Sequence, residues 1–368
     1  MTGVITPNLP GVAARDAKFR SWKRLAWMAI GIAVLVYLPF VFTSRSLFGV
    51  RLSNAQLLNV GMTQINMTLI AALGALSLTF LTGRAGLISI GHAALYAVGA
   101  LVGGVAGTQL GWPLPVVLLV AAVVGAIAGV VAGLPSLRVR GLYFLISTLA
   151  LHHIVVFGLA EYQYKFFDVV GILMPEAQLG DLIIDTPFRW YFFLLPLVVL
   201  TFLGFRNTLG LREGRAVMAM RDHELAATSV GIDVRILRLK VFAFSSAVAA
   251  IAGVLFSYYL TTVSAESFNI NFAVQFVAMI IIGGMGSLWG AVIGAAIWTL
   301  GPVIITGFVT QAQGSSDWVQ TVLANSKPQL VNLVFGVTVI LFLIYAPDGI
   351  AGIGKRLRQR SAARRKAS

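Results

Sequence analysis

The chain has 368 residues, 58% of them hydrophobic and only 11% charged, with a mean hydropathy of +0.89. Soluble domains carry about 25% charged residues, so a wholly soluble fold is excluded and most side chains must be shielded by lipid. The lack of cysteine excludes a disulfide framework and thiolate metal sites. The net charge of +14 reads as a marker of membrane sidedness rather than a nucleic-acid surface, so no nucleic-acid partner is expected.

Taken in chain order, a basic N-terminal extension over 1–24 precedes the first apolar run. That run is too long for a signal-peptide core and lacks a small-x-small cleavage site, so it reads as an uncleaved anchor. Apolar runs near the roughly 20 residues that span a bilayer occur at Leu25–Thr43, Gln56–Thr82, Leu87–Gly107, Leu114–Leu134 and Leu142–Ala160. Others follow at Trp190–Gly204, Val241–Thr261, Phe272–Gly283, Trp289–Val309 and Leu330–Ala346. The prediction is an all-α polytopic membrane protein of about ten transmembrane helices, with a transmembrane domain over 25–346 and a basic tail over 347–368. Phe272–Gly283 is short, and Leu87–Gly107 follows the break Gly83-Arg84-Ala85-Gly86, so each is read as either a full or a partial crossing.

Charge tests the count. With both termini cytosolic, all but five of the 27 basic residues (Arg45, Arg51, Lys165, Arg189 and Lys327) lie inside, as the positive-inside rule requires. The outer loops are acidic instead, with Glu161, Asp168, Glu176, Asp181, Asp185, Glu266 and Asp317. The tail, with seven cations between Lys355 and Lys366, is expected to lie on anionic lipid. Glycines recur every four residues at Gly99, Gly103 and Gly107, at Gly125, Gly129 and Gly133, and at Gly290 and Gly294. Such spacing lets helix backbones approach closely in lipid.

The spans hold almost no ionisable groups. Ion-driven transporters usually need one inside the membrane, and the candidates are His92, His152 and His153. His152 and His153 read as interhelical hydrogen-bonding groups, and His92 as part of a helix start. Asn59, Thr63 and Asn66 share one face of the second span, with Gln64 and Thr68 beside them. They either bond between helices or line a polar path. No GxxxxGK[ST], HExxH or GxSxG pattern is present, so no catalytic residue, metal or cofactor is expected and the chain is not read as an enzyme.

One long polar island, Phe205 to Lys240, interrupts the apolar pattern. Arg215, Arg221 and Glu224 give it charge, while Ala226, Ala227, Val230 and Ile232 form a small apolar face. Gly231 is placed to end a helix and Asp233 to cap the next. A short amphipathic helix, a glycine turn and a helix entering the membrane make a surface suited to a groove on a soluble partner.

The segment RAVMAMRDHELAATSVGIDVRILRLKVFAFSSAVAAIAGVLFSYYL resembles the cytosolic loop and following span of branched-chain amino acid ABC importer permeases, particularly the M-type subunit of high-affinity Liv-type systems. GLISIGHAALYAVGA, LPSLRVRGLYFLISTLAL, IIGGMGSLWGAVIGAAI and FLIYAPDGIAG match in the expected order, so the resemblance covers roughly Ala72 to Gly352. It implies a bacterial inner-membrane subunit paired with an H-type permease, two cytosolic ATP-binding subunits and an extracytoplasmic substrate-binding protein. It also places the ATPase-coupling element at Glu224, Ala226, Ala227 and Gly231, on a helix around Met218–Ser229 and the glycine that follows it. Leu225 departs from the usual Glu-Ala-Ala order and leaves the phase of that element open. The implied cargo is a branched-chain or related amino acid, with urea or amides as the alternative. A self-sufficient ion-coupled transporter is the rival class.

Overall fold

A computed structural model describes residues 46–47, 50–51, 60–139, 141–167 and 171–312, together with scattered helical residues between 333 and 352. The expected extension over 1–24, the run Leu25–Thr43, Asn59, most of Leu330–Ala346 and the tail from Lys355 lie outside the described residues. The chain forms two units, Met1–Ala55 and Gln56–Ser368. In the first, strands β1 (Ser46–Leu47) and β2 (Val50–Arg51) pair as an antiparallel hairpin.

The second unit is a helical bundle. Its elements are α1 (Met62–Leu78), α2 (His92–Gly104), α3 (Leu114–Gly133), α4 (Leu142–Phe166) and α5 (Pro187–Gly210). They continue with α6 (Arg212–Asp222), α7 (Glu224–Ser229), α8 (Val234–Leu260), α9 (Ile270–Gly283) and α10 (Leu288–Ala312). Six helices among the described residues are long and apolar enough to cross a membrane, namely α1 with its π-helical extension to Arg84, α3 with the turn to Leu137, α4, α5, α8 and α10.

Two runs, each read from sequence as either a full or a partial crossing, hold only short helices. The segment from Leu87 is not helical at first, because Gly86 takes φ +74° and helix begins only at His92. α9 has 14 residues, about 21 Å of helix against a hydrocarbon core of about 30 Å. Elsewhere the helices overrun their apolar runs. α4 carries Glu161 and Lys165 in its last turns, α5 runs on to Gly210, and α8 starts at Val234.

α8 is the hub. It packs against α1, α2 and α3, and α1 packs in turn on α5 and α10. Small residues permit this closeness. A side chain at Gly99 would strike the Ala250 backbone, and one at Gly125 or Gly129 would strike Ala250 or Ser246. α3 turns its other face outward, exposing Leu119, Val123, Ile127 and Val131 at every fourth position. A continuous apolar stripe of this kind suits lipid.

Short strands close the end of the bundle opposite α6 and α7. β3 (Ile172–Leu173) pairs antiparallel with β6 (Thr262–Val263), and β4 (Gln178–Leu179) pairs with β5 (Leu182–Ile183). There the Gln163 side chain accepts a hydrogen bond from the Ala265 amide at 2.9 Å.

Candidate functional site

The polar island is no free loop. Its first residues complete α5 and its last begin α8, leaving α6 and α7 as a two-helix platform across the bundle end. Gly214, Val217 and Met220 form the buried face of α6, and Ala227 that of α7. Gly214 matters because any side chain there would strike the Thr208 and Leu209 backbone. Beneath the platform Phe80 stacks on Phe205 at 4.7 Å, and Phe244 meets both rings edge-on.

α7 ends in a Schellman turn. The Gly231 amide donates to the Thr228 carbonyl at 3.0 Å and the Ile232 amide to the Ala227 carbonyl at 3.1 Å, with Gly231 at φ +86°. Only glycine adopts that conformation without strain. Asp233 then caps α8, accepting from the Arg235 and Ile236 amides at 3.0 and 3.2 Å.

The expected coupling residues divide into two sets. Arg221 and Glu224 face the chain itself. Arg221 crosses Gly86 and donates from Nη1 to the Gly83 carbonyl at 2.6 Å. Gly83 lies in the π-helical turn Thr79–Arg84 that ends α1, a deformation frequent at functional sites. A side chain at Gly83 would also strike the Gly286 backbone, so α6, the end of α1 and the α9–α10 turn meet at one point. Glu224 pairs with Arg238 of α8 at 2.7 Å, and Arg238 also donates to the Ser136 carbonyl at 2.6 Å. Arg221, Glu224 and Arg238 line a cleft of about 480 Å³ over segments 85–88 and 136–145.

The other set faces outward. Ala226 is exposed, as are Leu225 at 84% and Val230 at 79%, whereas Ala227 is only 2% exposed. Successive helical residues point about 100° apart, so Ala226 and Ala227 cannot share a face. The expectation that both present one small surface to a partner is corrected, because Ala227 is packed against its own chain. The outward apolar residues are Leu225 and Val230. Arg215 is exposed and donates to the Gly210 carbonyl at 3.1 Å, which ties it to the end of α5.

Arg238 was not singled out from sequence, where it is one cation among seven on the island. The available signal is its phase: it shares the buried stripe of α8 with Leu237, Val241, Phe242 and Ser245. A charge in such a stripe needs a partner.

The polar face of α1 also divides. Asn66 is fully buried and donates from Nδ2 to the Pro187 carbonyl at 2.7 Å, joining α1 to α5. Thr63 is exposed and lines a cavity of about 350 Å³ between α1, α2, α8, α9 and α10. Gln64, Met67, Tyr96, Phe256, Phe272, Gln275, Phe276, Met279, Trp298 and Thr299 also line it, and none is charged.

His92 opens α2, and its Nε2 lies 2.7 Å from the Ser77 hydroxyl. His152 is buried and meets the ring of His153 edge-on, while His153 faces out. Among the described residues no three His, Asp or Glu side chains cluster as ligands for a metal.

Residues 62–343 match the family described as branched-chain amino acid transport system / permease component. The chain is 27% identical over 222 residues to the probable branched-chain amino acid transport permease protein LivM of Methanocaldococcus jannaschii, covering 59% of this chain and 62% of that relative. It is 27% identical over 308 residues to the high-affinity branched-chain amino acid transport system permease protein LivM of Escherichia coli K12, covering 77% and 68%. The probable permease protein LivH of M. jannaschii is also 27% identical, over 223 residues, covering 58% and 66%. No solved structure matches the chain significantly.

Proposed function

The chain belongs to the family of branched-chain amino acid transport system permease components, and from that premise we propose that it is one membrane-spanning half of an ATP-driven importer. Its cargo is a branched-chain or related amino acid. Its partners are a second, H-type permease, two cytosolic ATP-binding subunits that hydrolyse the nucleotide, and an extracytoplasmic binding protein. The protein sits in the bacterial inner membrane with ten spans and both termini cytosolic.

The observation that carries this reading is the link from platform to bundle. Leu225, Ala226 and Val230 are exposed apolar residues on the platform, open to a soluble partner, while Arg221 joins the same platform to Gly83 at the end of α1. Closure of the ATPases pushes the platform, the Arg221–Gly83 contact carries the displacement into α1, and α1 carries it to the cavity wall. The basic residues near the platform, among them Arg84, Arg138 and Arg212, support a cytosolic position for that end.

An ion-coupled mechanism usually draws on an ionisable group within the spans, most often a carboxylate. Among the described residues of the long apolar helices the one acidic side chain is Glu161, near the end of α4. The test is purification of the chain with its ATPase, second permease and binding protein in lipid, followed by ATP hydrolysis on addition of leucine, alanine or urea. Hydrolysis stimulated by leucine is expected. Leucine uptake by the chain alone, abolished by an uncoupler, would refute the reading.

A further inference from the structure

The uncharged cavity beside α1 has a wall built in an unusual way. Gly74 lies in the middle of α1, where glycine is disfavoured relative to alanine. A Cβ placed there would lie 2.8 Å from Cζ of Phe276 and closer still to its Cε1. The ring of Phe276 therefore rests in a notch that only glycine leaves open.

Neither side of this contact can easily yield. The α1 backbone is held beside the notch, since the Ser77 hydroxyl donates to the Gly74 carbonyl at 2.7 Å and Ser245 of α8 donates to the Ser77 carbonyl at 2.6 Å. Phe276 is hemmed in by the rings of Tyr96 and Phe272, with centroids 5.2 and 5.0 Å away. The open direction left to the ring is the cavity that it lines.

The cavity suits one class of occupant. Its aromatic and thioether walls favour an aliphatic group, and the lack of charge disfavours a charged side chain. Its volume of about 350 Å³ lies at the small end of ligand pockets. Polar capacity is supplied by Gln64 and Gln275. The Gln64 carbonyl oxygen accepts from the Gly61 amide at 2.9 Å, which leaves its NH₂ as a donor. The half-buried Gln275 amide makes no hydrogen bond among the described residues, so it can both donate and accept. A carboxylate and an ammonium group can be met by these two amides.

We propose that this cavity receives the aliphatic side chain of the transported amino acid, and that Gly74, by giving Phe276 its resting place, sets how large that side chain can be. The proposal rests on the importer reading above. Gly74 acts as a positioning residue, since it reaches the cargo only through Phe276.

The experiment measures uptake of leucine, valine and alanine by the complete importer in proteoliposomes, each variant being compared with wild type for each amino acid. The binding protein is the same throughout, so its own selectivity cancels. Gly74→Ala is expected to drive Phe276 into the cavity and lower leucine uptake by about tenfold, the scale of a methylene-sized misfit, with alanine uptake nearly unchanged. Phe276→Leu in the same chain should restore leucine uptake, and Phe276→Leu alone should favour larger side chains. Rescue separates a size effect from simple damage to the fold. Proportional losses for all three amino acids, or failure of Phe276→Leu to rescue, would overturn the role of Gly74. Wild type that moves none of the three would overturn the importer reading and this proposal with it.

Discussion

The two ends of α1 meet opposite kinds of surroundings. Towards one end Met67 and Gln64 border a cavity without a charged side chain, and Gly74 seats the Phe276 ring that forms part of its wall. At the other, Gly83 receives the Arg221 guanidinium, and the Glu224–Arg238 pair lies close by. Apolar walls can sort molecules by shape, but they yield little directional force. Charge-assisted hydrogen bonds are short and geometrically demanding, so they can transmit a displacement. Under the proposed function, selection and drive would be separated along a single helix, with the π-helical turn Thr79–Arg84 at the driven end.

The largest expected effect comes from breaking the driven end at its buried pair. Arg238→Met leaves Glu224 beside an apolar side chain and the Ser136 carbonyl without its donor. Removing one partner of a fully buried pair costs about 3–5 kcal/mol; with Glu224 24% exposed the loss is smaller but should still loosen α6 and α7. A large drop in thermal midpoint and rapid proteolysis between Arg212 and Asp233 are expected, and a wild-type melt would contradict the brace.

The next test separates the two faces of α7. Ala227→Trp overpacks a buried contact, at a cost of typically 1–3 kcal/mol, and should destabilise the chain even in isolation. Ala226→Trp should leave the isolated chain unchanged and instead weaken its co-purification with the ATPase. If both variants behave alike, the division of the platform into two faces is wrong.

At the other end, Asn66→Leu removes the interhelical hydrogen bond to the Pro187 carbonyl, a loss of about 0.5–1.5 kcal/mol. The expected result is lower stability of the assembled permease with the size preference for cargo intact. A changed preference would place Asn66 in the path instead. The smallest effect belongs to the exposed Lys240–Glu213 pair at 2.8 Å. Lys240→Ala should shift stability by less than about 1 kcal/mol, as exposed ion pairs do, so a large shift would show that the platform is braced from its outer side too.

Much of this architecture is legible in the residues, though unevenly. Gly231 and Asp233 announce a helix stop and a helix start, and the Schellman turn and cap occur at those positions. Both signals are local, because each depends on a backbone conformation or a side chain acting within three residues. The apolar runs place α3, α8 and α10 well, but they cannot show that helix continues through the charged flanks of α5 and α8. Those extensions depend on packing of the platform. The inward turn of Ala227, the bond from Asn66 to Pro187 and the Phe276 notch at Gly74 all depend on neighbours distant in sequence. One sequence carries no record of such neighbours. Resemblance supplied the coupling element, but not which of its two alanines faces a partner.

In the proposed mechanism the platform drives α1 through Arg221. The most direct test is the ratio of amino acid uptake to ATP hydrolysis by the complete importer carrying Arg221→Ala, with thermal stability measured in parallel. A charge-assisted hydrogen bond contributes about 1.5–3 kcal/mol. Hydrolysis close to wild type, an intact fold and uptake per ATP reduced by about tenfold or more are therefore expected. An unchanged ratio of uptake to hydrolysis would contradict this mechanism.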